Sequence, residues 1–407
     1  MKILQISPQI PYPADNGGKI SIYGITQSLS LLGHDITLVC YYSGNFDKKK
    51  FDELSKICKP VFILHDTSNN ILGSIKNLFS DVPYNISKYY SKSLENFVID
   101  FLKENEVDIV HIDHLHLSWV VDIVKSIKNI PVVLREHNLE MQIMKRFYEN
   151  TRNPILKLYS KIQYRKFLTY EPKQAIKFDK CIMISPEDEK SLKKLNSLIK
   201  TTTIPVGVEE NILNYPSTKQ APYSLFHLGS LKWEPNLQGL NWFIDDILPN
   251  ILKFFPQTKL YIFGEGLNRL KVRKQFVHNV IKVGYVKDIW SAIKDKKLLI
   301  VPLRVGSGMR VKIIEMLAAG KLIVTTEIGK EGIDVLDGKH LFIANDSNTF
   351  QKKILDIFND QVDESEIVFN AKEYIRENHL WSKIAKNFEN EYFKLCKSLI
   401  EYNGKNN

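Results

Sequence analysis

Arg310, Lys312 and Glu315 lie close together in the segment PLRVGSGMRVKIIEMLAAG, residues 302–320. Two cations followed by a carboxylate one helical turn later suit an anion with two vicinal hydroxyls beside it. Arg310 and Lys312 in a first helical turn oppose the helix dipole, so they are poorly placed for stability and well placed to meet added negative charge. Elsewhere, His137 ends the run VVLREH and Asp113 ends IVHID. A neutral imidazole can hydrogen-bond a sugar hydroxyl, or it can be a packed histidine beside a helix cap. Asp113 can orient or deprotonate an acceptor hydroxyl, or it can cap the following segment. In PYPADNGGK, Gly17 and Gly18 let the backbone approach an anion or a sugar closely, and Lys19 adds charge; glycines in a turn are also ordinary.

These residues need elements that hold them at one edge. Residues 297–303 (KLLIVPL) and 322–326 (LIVTT) read as buried parallel strands, with a Gly-rich turn and a helix between them. That arrangement puts a helix N-terminus at the carboxyl edge of a sheet, where free N–H groups favour a phosphate. Strands and helices alternate along the whole chain, which predicts α/β with parallel sheets. The strands of the first half are 2–6, 35–41, 60–64, 109–112, 132–135 and 180–184, with a helix over 19–32 ended by Gly33. Residues from 201 onward (TTTIPVGVEENIL) read as a linker. A second series follows at 224–228, 259–263, 281–283, 298–301, 322–325 and 340–343. The tail from 370 to 400 reads as helical, with Trp381, Ile384, Phe388, Tyr392 and Leu395 as its apolar stripe, and it is expected to return to the first domain.

The expected domains are therefore 1–203 with a returning segment near 376–407, and 208–375. Two doubly wound sheets of this kind present switch-point edges to a shared cleft, where ligands of such folds bind. Gly229 and Lys232 in HLGSLKWEPN, Gly264 in FGEG and Gly284 in VGYV fall at strand ends of the second sheet. The pattern is not G-x-G-x-x-G, which argues against a dinucleotide cofactor.

At 407 residues with a net charge of +10, the chain is long enough for two or three domains that need no staples. Cys40, Cys58, Cys181 and Cys396 show no metal-ligand spacing and read as core thiols of a reducing compartment. No Asp-x-Asp occurs, and His111, His114 and His116 have no Cys or Glu at ligand spacing, so no metal site is expected. The opening MKILQISPQI lacks the form of a signal peptide, and no apolar run reaches about 18 residues. The expected location is the cytoplasm. Between Lys145 and Lys180, ten Lys or Arg face only Glu149, Glu171 and Asp179, with six aromatic residues interspersed. Such a stretch can rest on anionic lipid at the inner membrane face, or it can be a surface helix whose aromatics pack on the domain. No nucleic-acid motif accompanies it.

Taken in order, PQIPYPADNGG, GHDITLV, REHNLE, IPVGV, LGSLKWEPN, IFGEG, VGYVKDIW, GSGMRVKIIEMLAAGK and IGKEG resemble the retaining GT-B glycosyltransferases of family four. The likeness is to the bacterial surface-glycan branch reading G-S-G-x-R-x-K-I-x-E, and it covers nearly the whole chain. It implies an N-terminal acceptor domain and a C-terminal nucleotide-sugar domain. It further implies donor contacts from Glu315, Ser307, Gly308, Met309, Gly229, Lys232, Gly264, Tyr285 and Val286. Glu315 matches the second carboxylate of the family's Glu-x7-Glu and would hold the ribose, whereas Ser307 stands where the first is found. Relatives often carry an Arg and a Lys where this chain has Ser230 and Pro235, so Arg310 and Lys312 are the replacements, with Lys232 a lesser one. Arg310, Lys312 and His137 would be catalytic, and Gly17, Gly18, Lys19 and Asp113 would line the phosphate and acceptor side. The implied activity is retaining, metal-independent and cofactor-free transfer of a sugar from a nucleotide-diphosphate sugar to a glycan or lipid-linked acceptor. A nucleotide-sugar epimerase of the same fold and a catalytically silent donor-binding subunit are the alternatives.

Overall fold

The computed structural model describes residues 1–151, 153–216, 219–306 and 308–405. Arg152, counted in the basic stretch, and Ser307, expected at the donor, lie outside them. The chain forms two compact units, one of Met1–Gly207 with Trp381–Asn407 and one of Val208–Leu380.

The first unit is built on a seven-stranded parallel sheet. Its strands are β1 (Lys2–Ser7), β2 (Asp35–Tyr42), β3 (Lys59–Leu64), β4 (Ile109–Asp113), β5 (Val132–Glu136), β6 (Lys180–Met183) and β7 (Thr201–Thr203), in the order β3-β2-β1-β4-β5-β6-β7. Every residue of β4 and β5 is buried, which is why these segments are nearly continuous apolar runs. β7 corrects the reading of 201–203 as linker: three half-buried threonines pair only with β6 at the sheet edge. β-branched residues suit that position without an apolar run to announce it.

The helix after β1 spans Gly17–Leu31 and starts two residues before the expected point, because the Asn16 side chain caps it by accepting the Lys19 amide at 3.1 Å. The tail is two helices rather than one, Glu364–Asn378 and Trp381–Lys405. They part at His379 and Leu380, where the Val208 amide donates to the His379 carbonyl at 2.7 Å and Val208 bridges Leu380. The units therefore divide at residue 380, five residues beyond the expected 375. The Trp381–Lys405 helix belongs to the first unit, burying Trp381, Ile384, Phe388 and Tyr392. Tyr392 Oη lies 2.5 Å from His111 Nδ1 inside that core. The Trp381 ring occupies space left by two glycines: a Cβ on Gly24 would stand 2.1 Å from it, and one on Gly207 2.6 Å.

The second unit carries β8 (Ala221–Leu228), β9 (Lys259–Phe263), β10 (Val280–Gly284), β11 (Lys296–Val301), β12 (Leu322–Thr325) and β13 (Phe342–Ile343). All are parallel, in the order β10-β9-β8-β11-β12-β13. β13 is shorter than expected because His340 closes a turn instead, its Nδ1 accepting the Leu336 amide at 3.0 Å. In both sheets the direction of strand addition reverses once, between β1 and β4 and between β8 and β11, and at such points the carboxyl edge opens for a ligand.

The basic stretch divides in two. Phe167 is buried, and Tyr164 and Tyr170 pack on the same core, so the aromatic side of the C-terminal part of the Pro154–Ala175 helix faces the domain while Arg165, Thr169 and Lys173 stay exposed. All four cysteines are free; Cys40 and Cys181 are buried, Cys58 is partly buried and packs on the cluster of Leu38, Cys40 and Leu54, and Cys396 is partly exposed. Among the described residues no helix is long and apolar enough to cross a membrane.

Candidate active site

In the second unit the site assembles where β8 and β11 meet. The chain leaves β8 through Gly229, whose φ of +144° and crowded surroundings require glycine: a Cβ there would lie 2.5 Å from Asn236 Nδ2 and 3.2 Å from Lys312 Nζ. Gly264, after β9, is equally constrained, because its Cβ would stand 2.3 Å from the Gly229 carbonyl oxygen. These turns are joined laterally, the Gly229 amide donating to Phe263 and the Gly264 amide to Gly284. The strand ends thus form one backbone ledge.

Opposite the ledge stands the helix Val311–Ala318, whose N-terminus has no side-chain cap bond and no acidic residue in its first turn. Its amide dipoles are therefore uncompensated by its own side chains. Arg310 is the N-cap residue, one position outside the first turn where the sequence placed it. The buried guanidinium donates to the Gly308 carbonyl at 2.7 Å and lies 5.1 Å from the centre of the Trp233 ring, a cation–π arrangement. Gly306 makes room for it, since a Cβ there would meet Arg310 Nη2 at 2.4 Å. Lys312 Nζ donates to the Leu228 carbonyl at 2.5 Å and lies 3.4 Å from Asn236 Oδ1. Burial, reinforced by Arg310, lowers its ammonium to about 7. Glu315, half-buried one turn on, is raised by burial to about 7.

Beneath these cations lies His227, fully buried, whose Nδ1 donates to the Ile300 carbonyl at 3.1 Å while Nε2 has no partner. Burial and the Lys312 charge hold the ring neutral. Met309 is buried beside Arg310, whereas Tyr285 and Val286 sit at the end of β10, Tyr285 exposed. Lys232 is drawn away from the cation pair: its Nζ, largely exposed, forms an ion pair with Glu265 at 2.6 Å.

In the first unit the carboxyl ends of β1, β4 and β5 bring Gly18, Asp113 and His137 to one edge, joined by His114, which the sequence considers only as a metal ligand. His114 takes φ +69°, rare for a residue with a side chain, and its ring stacks on His137 with centroids 3.9 Å apart. Its buried Nε2 has no partner and would lie 3.9 Å from a Cβ on Gly18. The His-x-His spacing after β4 is the signal in the sequence that could have marked this pair. Among the described residues no cluster fit for a metal ion occurs.

Asp113 does not serve as an exposed base. It is fully buried, accepts from Gln5 Nε2 at 2.7 Å, and has Oδ1 3.4 Å from both His111 Nε2 and His137 Nε2. Although burial pushes its carboxyl up, the two histidines outweigh that and hold it well below the usual range, so it orients the rings rather than taking protons. His137 is nearly buried, and desolvation lowers it despite Asp113. Gly17 and Gly18 open the Gly17–Leu31 helix, while Lys19 pairs with Asp15 at 2.9 Å instead of standing free.

Comparison with known proteins follows this division. A model described as Glycosyltransferase Family 4 matches residues 15–211, and one described as Glycosyl transferases group 1 matches residues 222–360. A protein of the cps region of Klebsiella pneumoniae is 26% identical over 391 residues, covering 94% of this chain and 97% of its own length. Among solved structures, Anabaena HepE in complex with UDP superposes with a TM-score of 0.68 at 15% identity, covering 97% of this chain and all of that one. Sucrose-phosphate synthase from Thermosynechococcus elongatus gives 0.69 at 14% identity, over 98% of this chain and 100% of that one. TarM gives 0.69 at 15% identity, over 96% and 98%.

Proposed function

We propose that this chain, a GT-B glycosyltransferase similar to family four, is a retaining, metal-independent enzyme that moves a sugar from a nucleotide-diphosphate sugar to a hydroxyl of a glycan or lipid-linked acceptor. The observation that carries the reading is the convergence of Arg310, Lys312 and an uncapped helix N-terminus on the Gly229–Gly264 ledge at the switch point. Two cations and free amides supply what a diphosphate needs, and they sit where negative charge grows as it departs. Glu315 takes the ribose hydroxyls. Because Arg310 and Lys312 answer the leaving-group charge, no divalent ion is needed for that task.

In this reading the bond from the anomeric carbon to the diphosphate oxygen breaks with oxocarbenium character. The acceptor oxygen bonds to the same face of that carbon, and its proton passes to the departing phosphate oxygen. His137, held by Asp113 and stacked on His114, hydrogen-bonds a sugar hydroxyl. The role in surface polysaccharide synthesis draws support from the cps-region relative, and the UDP of the HepE complex places UDP-sugars first among donors to try.

The test is nucleotide release from a panel of UDP-, GDP-, ADP- and TDP-sugars, with and without glycan acceptors and with chelator present throughout. Turnover is expected to persist in chelator and to fall by at least about a hundredfold in Arg310→Ala or Lys312→Ala, the scale of losing one preorganised oxyanion contact. Unchanged release in both variants would remove the proposed clamp. A sugar altered while still attached to its nucleotide would replace transfer with epimerisation.

A further inference from the structure

The helix Glu234–Trp242, with Trp233 as its N-cap residue, meets the residues around the proposed clamp at both of its ends through a tryptophan. At its start the centre of the Trp233 ring lies 5.1 Å from the Arg310 guanidinium, and at its end that of Trp242 lies 5.4 Å from the guanidinium of Arg304. Between these contacts the backbones close up, since a Cβ on Gly239 would stand 2.4 Å from the Pro302 carbonyl oxygen. Gly306 serves the first pair in the same way: a Cβ there would meet Trp233 Cη2 at 3.3 Å as well as Arg310 Nη2 at 2.4 Å.

The two pairs differ in burial. Arg304 is exposed, so water weakens its contact, whereas Arg310 is only 8% exposed. A cation withdrawn from water needs support, and its attraction to an aromatic face grows as it is desolvated. A carboxylate would give that support by cancelling the charge. The ring's quadrupole gives it while leaving the positive charge available to an anion, and indole does so best among the aromatic side chains.

The ring itself is held from both sides. The Trp233 amide donates to the Ser230 carbonyl at 3.3 Å, and its carbonyl accepts the Asn236 amide at 3.1 Å. Arg269 donates to the Leu231 and Lys232 carbonyls at 2.8 and 3.0 Å and pairs with Glu234 at 2.7 Å, so the residues flanking Trp233 are tied to one guanidinium. Trp233 remains 40% exposed, and core packing therefore does not account for its place. What its face covers is Arg310.

We propose that Trp233 is a positioning residue of the donor site: its face presents Arg310, charge intact, to the diphosphate of a nucleotide sugar, and it acts on that ligand only through the guanidinium. The proposal rests on the donor reading above and adds to it the group that keeps Arg310 in place.

The experiment is titration calorimetry of the full chain with UDP, GDP, ADP and TDP, continued with whichever binds most tightly. Trp233→Leu is expected to weaken binding about tenfold, and Trp233→Phe, which keeps an aromatic face, by no more than about threefold. In the Arg310→Ala chain, adding Trp233→Leu should cost less than about twofold, because its route to the ligand is already gone. Fluorinated tryptophans at position 233 draw electron density from the ring face with little change of shape, and affinity should fall with each fluorine. That series replaces Trp233→Leu if circular dichroism shows the variant to have lost structure. The inference is overturned if Trp233→Leu binds as the parent does, if its loss is as large in the Arg310→Ala chain, or if the fluorine series is flat; each of these leaves the donor reading standing. A parent chain that binds none of the four nucleotides, or an Arg310→Ala chain that binds as the parent does, removes the donor reading and this inference with it.

Discussion

Lys312 and Glu315 lie one turn apart on the same helix, and burial drives their titrations toward each other from opposite ends of the scale, both to about 7. The signs determine how the site should respond to pH. Lys312, lowered from its ordinary value, carries charge below about 7 and loses it as pH rises; Glu315, raised, is ionised above about 7 and takes a proton as pH falls. A diphosphate needs the ammonium and the ribose hydroxyls prefer a carboxylate, so nucleoside diphosphate affinity should pass through a maximum near neutrality. Titration calorimetry with UDP across roughly pH 5 to 9 measures it. Glu315→Gln should flatten the acidic limb alone, and Lys312→Met the alkaline limb, with about a tenfold loss of affinity for the latter, the scale of a single charged hydrogen bond. An affinity indifferent to pH in the parent chain would show that these two groups do not hold the ligand.

At the scale of elements, close packing between a helix and its neighbour rests on residues without side chains. Trp381 opens the Trp381–Lys405 helix against Gly24 of the Gly17–Leu31 helix, and a Cβ at Gly24 would stand 2.1 Å from its ring. Gly24→Ala should therefore destabilise the first unit by about 1–3 kcal/mol, the usual cost of overpacking. Replacing Trp381 by Leu in the same chain should recover part of that loss, as chemical denaturation would report. An alanine as stable as glycine would mean the ring yields freely. The sequence made the buried strands plain, because strands covered on both faces must be apolar at successive positions, as in β4, β5 and β11. It hid β7, whose three threonines mark no face, and the split at His379, which depends on a backbone bond from Val208 far away in the chain. The strand-end ledge was legible for a related reason: glycines right after apolar runs point to strand-end turns. Asp113 and His114 were not, since nothing in IVHIDH says that the carboxylate turns inward or that the next residue takes a positive φ. Nor could charge alone reveal that Lys19 and Lys232 are engaged by Asp15 and Glu265.

For the whole molecule, the chain's path makes the two units unequal in independence. The second is one continuous stretch, Val208–Leu380, with its own core and a parallel bridge from Val208 to Leu380 that ties its ends together. The first is discontinuous and completes its core only with the last helix, which supplies Phe388 beneath the Arg135 guanidinium at 5.0 Å and Tyr392 against His111. Arg135 is fully buried and also donates to the Ser21 carbonyl at 3.0 Å, so removing Phe388 and Tyr392 would leave a buried cation and a buried imidazole facing water or nothing. Residues 208–380 expressed alone should thus melt cooperatively and still bind UDP, whereas residues 1–207 alone should lack a cooperative transition until a peptide of residues 381–407 is added. Calorimetry of the three preparations decides the matter. If residues 1–207 fold without the peptide, the last helix is an addition to the first unit rather than part of its core. If residues 208–380 fold but bind no nucleotide, the clamp around Arg310 and Lys312 requires groups that lie outside the second unit.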